Sequence, residues 1–186
     1  MTGSKPDTFV KTDTVERILL LGGESSGKST LAAALAAHFG TLWVHEYGRE
    51  LWEQQKGIMS EADLLAIGYE QIRREEAAMT KANRYLFCDT SPLTTAGYSL
   101  WLFGHVDPRL WQLASRSYDA AILCQPDFPF VQDGLRRDES FRTQQHAWYL
   151  EQIATFDYPV LEVSGSVAQR VAAVSTWLTA KKVPIS

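Results

Sequence analysis

Short apolar runs alternate with longer helix-forming stretches along the whole chain. Five runs have strand length and fall at 17–21, 42–45, 84–88, 118–124 and 159–163. Between them the pattern changes to helical spacing. An alanine- and leucine-rich stretch predicts a helix over 28–39, with Gly40 as its C-terminal stop. Leu64, Leu65, Ile67 and Ile72 make one apolar face of a long helix from about 61 to 82, which Ser60 can cap together with Asp63. Further helices are expected at 92–103, at 108–117 behind Asp107 and Pro108, up to about 155, and at 166–181. The stretch from Glu46 to Glu50 is read as the end of the second strand. Strands alternating with helices at this spacing predict a parallel five-stranded sheet covered on both faces, a three-layer α/β/α sandwich. Ligands of such sheets sit at the carboxyl ends of the strands.

One strand end carries a specific motif. Gly22-Gly23-Glu24-Ser25-Ser26-Gly27-Lys28-Ser29-Thr30 fits G-x-x-x-x-G-K-[ST], with a strand before it and a helix after it. That order aims successive backbone N–H groups and a helix N-terminus at one anion. The sandwich is therefore expected to be a P-loop NTPase that binds ATP through residues 22–30. Lys28 supplies a point charge to the β- and γ-phosphates, and Ser29 is the expected Mg²⁺ ligand.

Other strand ends add candidates for the same edge. Asp89 closes an apolar strand, where a carboxylate can hold Mg²⁺ beside Ser29; its alternative is a cap for the helix at Pro92. Glu46 ends the second strand and can accept or orient the proton of an attacking hydroxyl; its alternative is an ion pair with Arg49. Glu50 competes for that role more weakly. Arg136 and Arg137 follow a glycine hinge at Gly134 in a polar segment at about 127–142, which suits a lid that closes on phosphates, with Arg142 a further candidate. Trp43, Tyr47, Trp52, Tyr98, Trp101 and Phe103 cluster near the predicted edge, and Tyr47 and Trp52 are the stronger stacking faces for a flat substrate ring. The four histidines show no metal-ligand spacing.

Composition narrows the partners. The 186 residues predict a single domain over 14–186 behind a flexible leader at 1–13. A net charge of −4 offers no basic field for bulk nucleic acid. No run approaches the roughly 18 apolar residues that span a bilayer, and the first residues lack the core of a signal peptide. Cys88 and Cys124 each end an apolar run and read as buried reduced thiols, which suits the cytoplasm.

Taken together, these residues bring a family into view. The loop Gly22 to Ser29, followed by Trp43-Val44-His45-Glu46-Tyr47-Gly48-Arg49-Glu50, by Phe87-Cys88-Asp89-Thr90 with Thr94-Thr95, and by Asp133-Gly134-Leu135-Arg136, resembles the ribosylnicotinamide kinase domain of NadR-type proteins. The resemblance spans about residues 17–165. It implies a thymidylate-kinase-like fold and transfer of the ATP γ-phosphate to the 5′-hydroxyl of nicotinamide riboside, a small nucleoside. From their places at the strand ends, Glu46, Tyr47, Arg49, Trp52 and Asp89 are expected to bind the acceptor. NadR-type proteins can carry DNA-binding and adenylyltransferase regions ahead of the kinase, and neither expectation transfers to residues 1–13. Two alternatives stay open. A deoxynucleoside or nucleotide kinase would keep the site and change the acceptor, with Arg49, Arg73 and Arg74 available to hold a monophosphate. A P-loop regulatory switch would bind ATP and need no acceptor; the Asn-Lys-x-Asp of a GTPase is absent from the chain.

Overall fold

The computed structural model describes residues 14–130 and 138–180. The expected leader at 1–13, and Arg136 and Arg137 of the expected lid, lie outside the described residues. Five strands are β1 (Glu16–Leu21), β2 (Leu42–Val44), β3 (Tyr85–Asp89), β4 (Ala120–Cys124) and β5 (Val160–Val163). The helices are α1 (Lys28–Phe39), α2 (Tyr47–Gln54), α3 (Glu61–Met79), α4 (Pro92–Phe103), α5 (Pro108–Ala114), α6 (Glu139–Ile153) and α7 (Val167–Ala180). All strands run parallel in the order β2-β3-β1-β4-β5. The expected three-layer sandwich is present.

Strand periodicity divides the core between the two faces of the sheet. Ile18, Leu20, Phe87 and Ile122 pack on one face against Leu31 and Leu35 of α1 and Val174 and Leu178 of α7. Leu19, Leu21, Leu86, Cys88 and Leu123 pack on the other, against Tyr149 of α6 and Met79 of α3. A third cluster, Leu64, Ile67, Ala96 and Leu110, joins α3, α4 and α5, with Tyr47 and Leu51 of α2 against it. Both cysteines are buried and free.

Local signals set the helix ends. Gly27 (φ 80°) and Gly40 (φ 62°) bracket α1 in the left-handed conformation that glycine adopts without steric cost. The Ser60 hydroxyl accepts from the Asp63 N–H at 3.2 Å while the Asp63 carboxylate accepts from the Ser60 N–H at 2.8 Å, a complete capping box for α3. Asp107 caps α5, which ends three residues before the expected 117. The expectation that failed is the strand end at 46–50: Tyr47–Gln54 is helix α2.

Candidate active site

The glycine-rich loop leaves β1 at the carboxyl edge of the sheet and turns into α1. Two of its glycines have no room for a side chain. A Cβ on Gly22 (φ 145°) would lie 2.7 Å from the Cys124 carbonyl oxygen, and one on Gly27 would lie 2.9 Å from the Phe128 ring. The loop thus folds tightly back on the ends of β1 and β4. Lys28 spans it, donating from Nζ to the Gly22 and Gly23 carbonyls at 2.8 and 2.9 Å. Ser29 and Thr30 are exposed at the mouth.

Buried groups hold the loop from two sides. Arg170 of α7 is fully buried and donates to the Ser26 carbonyl at 2.7 Å, to Gly165 at 2.9 Å and to Gln125 at 3.0 Å; it also pairs with Asp127 and lies 4.4 Å over the Phe128 ring. On the other side, the Glu24 N–H donates to Gln145 Oε1 at 2.8 Å. The Tyr98 hydroxyl donates to the Glu24 carboxylate at 2.8 Å and accepts from Gln145 Nε2 at 3.2 Å, which closes a ring of three residues. Sequence reasoning missed Arg170, Gln145 and Tyr98 as parts of this frame. For Arg170 a signal existed: it shares one helical face with Val174 and Leu178, an apolar stripe on which an arginine is out of place.

Asp89 and Glu46 meet beside the loop. Asp89 is 1% exposed and its Oδ1 has no hydrogen-bond partner. Burial raises its carboxyl above the ordinary range, while Lys28 and a hydrogen bond from Ser29 pull it down. Asp89 does not cap α4; Ser91 does, accepting from the Leu93 N–H at 3.2 Å. Glu46 opens onto the cleft with its carboxyl deep among other groups. Burial first, and then the charge of Asp89, push it up to about 7, against the pull of Lys28 and Arg49. Glu46 is half-buried at the cavity wall.

A cavity adjoins these carboxylates, with an empty volume of about 870 Å³ that includes its open mouth. Glu24, Glu46, Arg49, Trp52, Thr94 and Tyr98 stand on its walls, with Leu64 and Ile67 among the apolar lining. Trp52 and Arg49 thus face the cavity together with Glu46. Tyr47 does not line it: its ring packs under the Arg74 guanidinium at 4.4 Å and against the third cluster. Trp43 lies against His45 with centroids 3.7 Å apart, Trp101 packs on Phe141 and Trp148, and Phe103 belongs to the third cluster. Arg142 is 5% exposed and donates to the Phe128 carbonyl and to Glu139, both at 2.7 Å, while its own backbone abuts Gly23. It braces the loop and offers no guanidinium to phosphates. Glu50 is engaged by Arg74 at 2.6 and 2.9 Å, which removes it as a rival to Glu46.

A phosphate loop at the carboxyl edge of a parallel β2-β3-β1-β4-β5 sheet, with a buried strand-end aspartate and a cavity alongside, defines a P-loop nucleotide-binding domain. The chain belongs to the AAA domain family AAA_28, which it matches over residues 17–170. It is 36% identical over 136 residues to the trifunctional NAD biosynthesis/regulator protein NadR of Salmonella typhimurium, an alignment covering 69% of this chain and 33% of NadR. The chain thus spans about a third of that relative's length. A crystal structure of NadR in complex with NR superposes with a TM-score of 0.72 at 22% identity, covering 93% of this chain and 53% of NadR. Thymidylate kinase from Candida albicans superposes at 0.57 with 15% identity, over 91% of this chain and 93% of the kinase. The NadR-like sequence and thymidylate-kinase-like fold expected from the motifs are both present. Among the described residues, no helix is long and apolar enough to cross a membrane.

Proposed function

We propose that this chain transfers the γ-phosphoryl group of ATP to the 5′-hydroxyl of nicotinamide riboside, giving nicotinamide mononucleotide. The observation that carries the reading is the charge of the acceptor cavity. Two carboxylates, Glu24 and Glu46, stand in an otherwise largely apolar lining that includes Trp52 and Tyr98. A cationic pyridinium ring gains from both the carboxylates and the aromatic faces. An acceptor that already carries a phosphate would be repelled. The arginines that a nucleotide kinase would use for that phosphate are engaged elsewhere: Arg73 and Arg74 are bound to Glu70, and Arg74 also to Glu50. Arg49, the one cation among the described lining residues, is bound to Glu53 at 3.0 Å. Similarity to NadR supports the same acceptor.

The residues divide the work by position. The loop's N–H groups and Lys28 hold the triphosphate. Glu46, with its carboxyl at about 7, is poised to accept or orient the acceptor proton near neutral pH. Asp89 and Ser29 suit Mg²⁺: the unpartnered Oδ1 of Asp89 is a buried acceptor awaiting a positive partner, and Ser29 is its neighbour. Bound there, Mg²⁺ would neutralise charge on the transferred phosphoryl. Arg136 and Arg137 are proposed to help neutralise that charge. The acceptor reacts by positioning and electrostatics, with no covalent role for the protein.

Magnesium-dependent ADP formation by purified protein, with nicotinamide riboside, nicotinic acid riboside, deoxynucleosides or thymidylate as acceptor, tests the proposal. Turnover is expected with nicotinamide riboside. Faster turnover with a deoxynucleoside or thymidylate would reassign the acceptor, and ATP hydrolysis indifferent to every acceptor would refute the kinase reading.

A further inference from the structure

Helix α2 begins on a residue that does not serve it. Glu46 occupies its capping position with extended backbone (φ −67°, ψ 104°), yet its side chain accepts no hydrogen bond from the first turn. Glutamate is a poor cap beside Ser, Thr, Asp and Asn, whose short side chains reach those N–H groups. The Glu46 side chain turns to the acceptor cavity instead. The first N–H groups of a helix have no intrahelical acceptor and need one from elsewhere.

Helix α3 provides it. The Tyr47 N–H, first in α2, donates to Oε1 of Gln71 at 3.1 Å. Gln71 is 2% exposed on the buried face of α3. The bond settles which way the amide points, because a flipped amide would set donor against donor. Nε2 is then directed toward Glu75, one turn further along α3, without a formed hydrogen bond; burial holds the Glu75 carboxyl up at about 8 against small opposing pulls from Tyr118 and Gln71. Glu75 is fixed in turn by the buried Tyr118 hydroxyl, which donates to its two oxygens at 3.1 and 3.3 Å. The Gln71 side chain thus stands between the start of α2 and a buried carboxyl, on the wall of the same cavity as Glu46.

We infer that Gln71 is a positioning residue for phosphoryl transfer: it caps α2 from the neighbouring helix, so that the Glu46 carboxyl is left to the acceptor hydroxyl. The inference rests on the role proposed for Glu46. It explains why a catalytic residue can stand at a helix start, a place where the backbone would otherwise compete for its oxygens.

A double-mutant cycle tests it, using whichever acceptor the wild-type protein turns over. Gln71→Met keeps the size of the side chain and removes the acceptor oxygen. It should lower kcat by about 10- to 100-fold, as misplacement of a reacting group does, and leave KM for ATP and for the acceptor unchanged; a loss confined to the acceptor KM would make Gln71 a binding residue and overturn the inference. In a Glu46→Gln background, Gln71→Met should cost nothing further, because the group it positions has gone. Unchanged kcat in Gln71→Met, or a loss that adds in full to that of Glu46→Gln, overturns the inference. Should Gln71→Met not fold, hydrogen exchange in the wild-type protein decides: the Tyr47 amide is protected if Gln71 caps it, and exchange at the rate of an open amide overturns the assignment. Absence of turnover with nicotinamide riboside alone would sink the proposed acceptor and leave the cycle measurable with another.

Discussion

Glu46→Gln should make the ligand-free protein more stable at pH 8 and a poorer catalyst. The Glu46 carboxyl is lifted from 4.5 to about 7 by burial and by the charge of Asp89. At 1.36 kcal/mol per pH unit, carrying that ion in the folded protein above pH 7 costs about 3 kcal/mol relative to the unfolded chain. The folded state keeps its proton longer than the unfolded state does. The stability linked to this group is therefore complete below pH 4.5, declines as pH rises, and is lost above pH 7. Glutamine has the same shape and no charge, so the stabilisation should be about 1 kcal/mol at pH 5 and grow to about 3 kcal/mol at pH 8. Asp89 is also raised and titrates with Glu46 as a pair. Glu75, pushed up to about 8 by burial, tilts the profile of both proteins alike and drops out of the difference. Urea unfolding of both proteins from pH 5 to 8, without nucleotide or Mg²⁺, measures the effect. The same preparations, assayed with ATP and acceptor, should show a large loss in kcat with ATP affinity retained. A stability difference that does not change with pH would refute the burial argument, and equal loss of turnover and ATP affinity would make Glu46 structural.

Three further substitutions probe the surrounding frame. Lys28→Ala removes the charge that spans the loop and should cut kcat by about 100-fold or more in the acceptor-dependent assay; near-normal turnover would contradict the loop assignment. Trp52→Ala opens the cavity wall and should raise KM for the acceptor about tenfold at unchanged KM for ATP, measured by steady-state kinetics. Arg170→Leu leaves the Ser26, Gly165 and Gln125 carbonyls without their shared donor and should destabilise the fold by about 3 kcal/mol or more in chemical denaturation.

Legibility in the sequence followed locality. The five strands, α1 between its two glycines and α3 with its Ser60–Asp63 box are specified by residues close together in the chain, and each was placed within a few positions. Helix α2 was not, because its start carries a glutamate that does not cap and its cap lies on α3, 24 residues away. Asp89, Glu46 and Lys28 were legible because a motif and the strand ends bring them to one edge. Tyr47 and Trp52 looked equivalent from the sequence. The helix between them separates the two rings, one under Arg74 and the other on the cavity wall. Glu24 was read as part of the phosphate loop alone. Its N–H is instead donated to Gln145 and its carboxylate lines the acceptor cavity, facts that depend on α4 and α6.

That double position of Glu24 bears on how the site can work. Phosphoryl transfer leaves a protein little to do except hold two reactants and the charge between them in place. Here the loop that grips one reactant is fastened on its far side by Arg170, a buried guanidinium with three carbonyls in its grasp, and on its near side by Gln145 and Tyr98. The near-side fastening is also a wall of the acceptor cavity. An acceptor that contacts Tyr98 or Glu24 therefore touches the phosphate loop, or the side chain bonded to it, directly. Fastening of the loop by side chains of the fold itself places the cost of ordering it in folding rather than in the catalytic step.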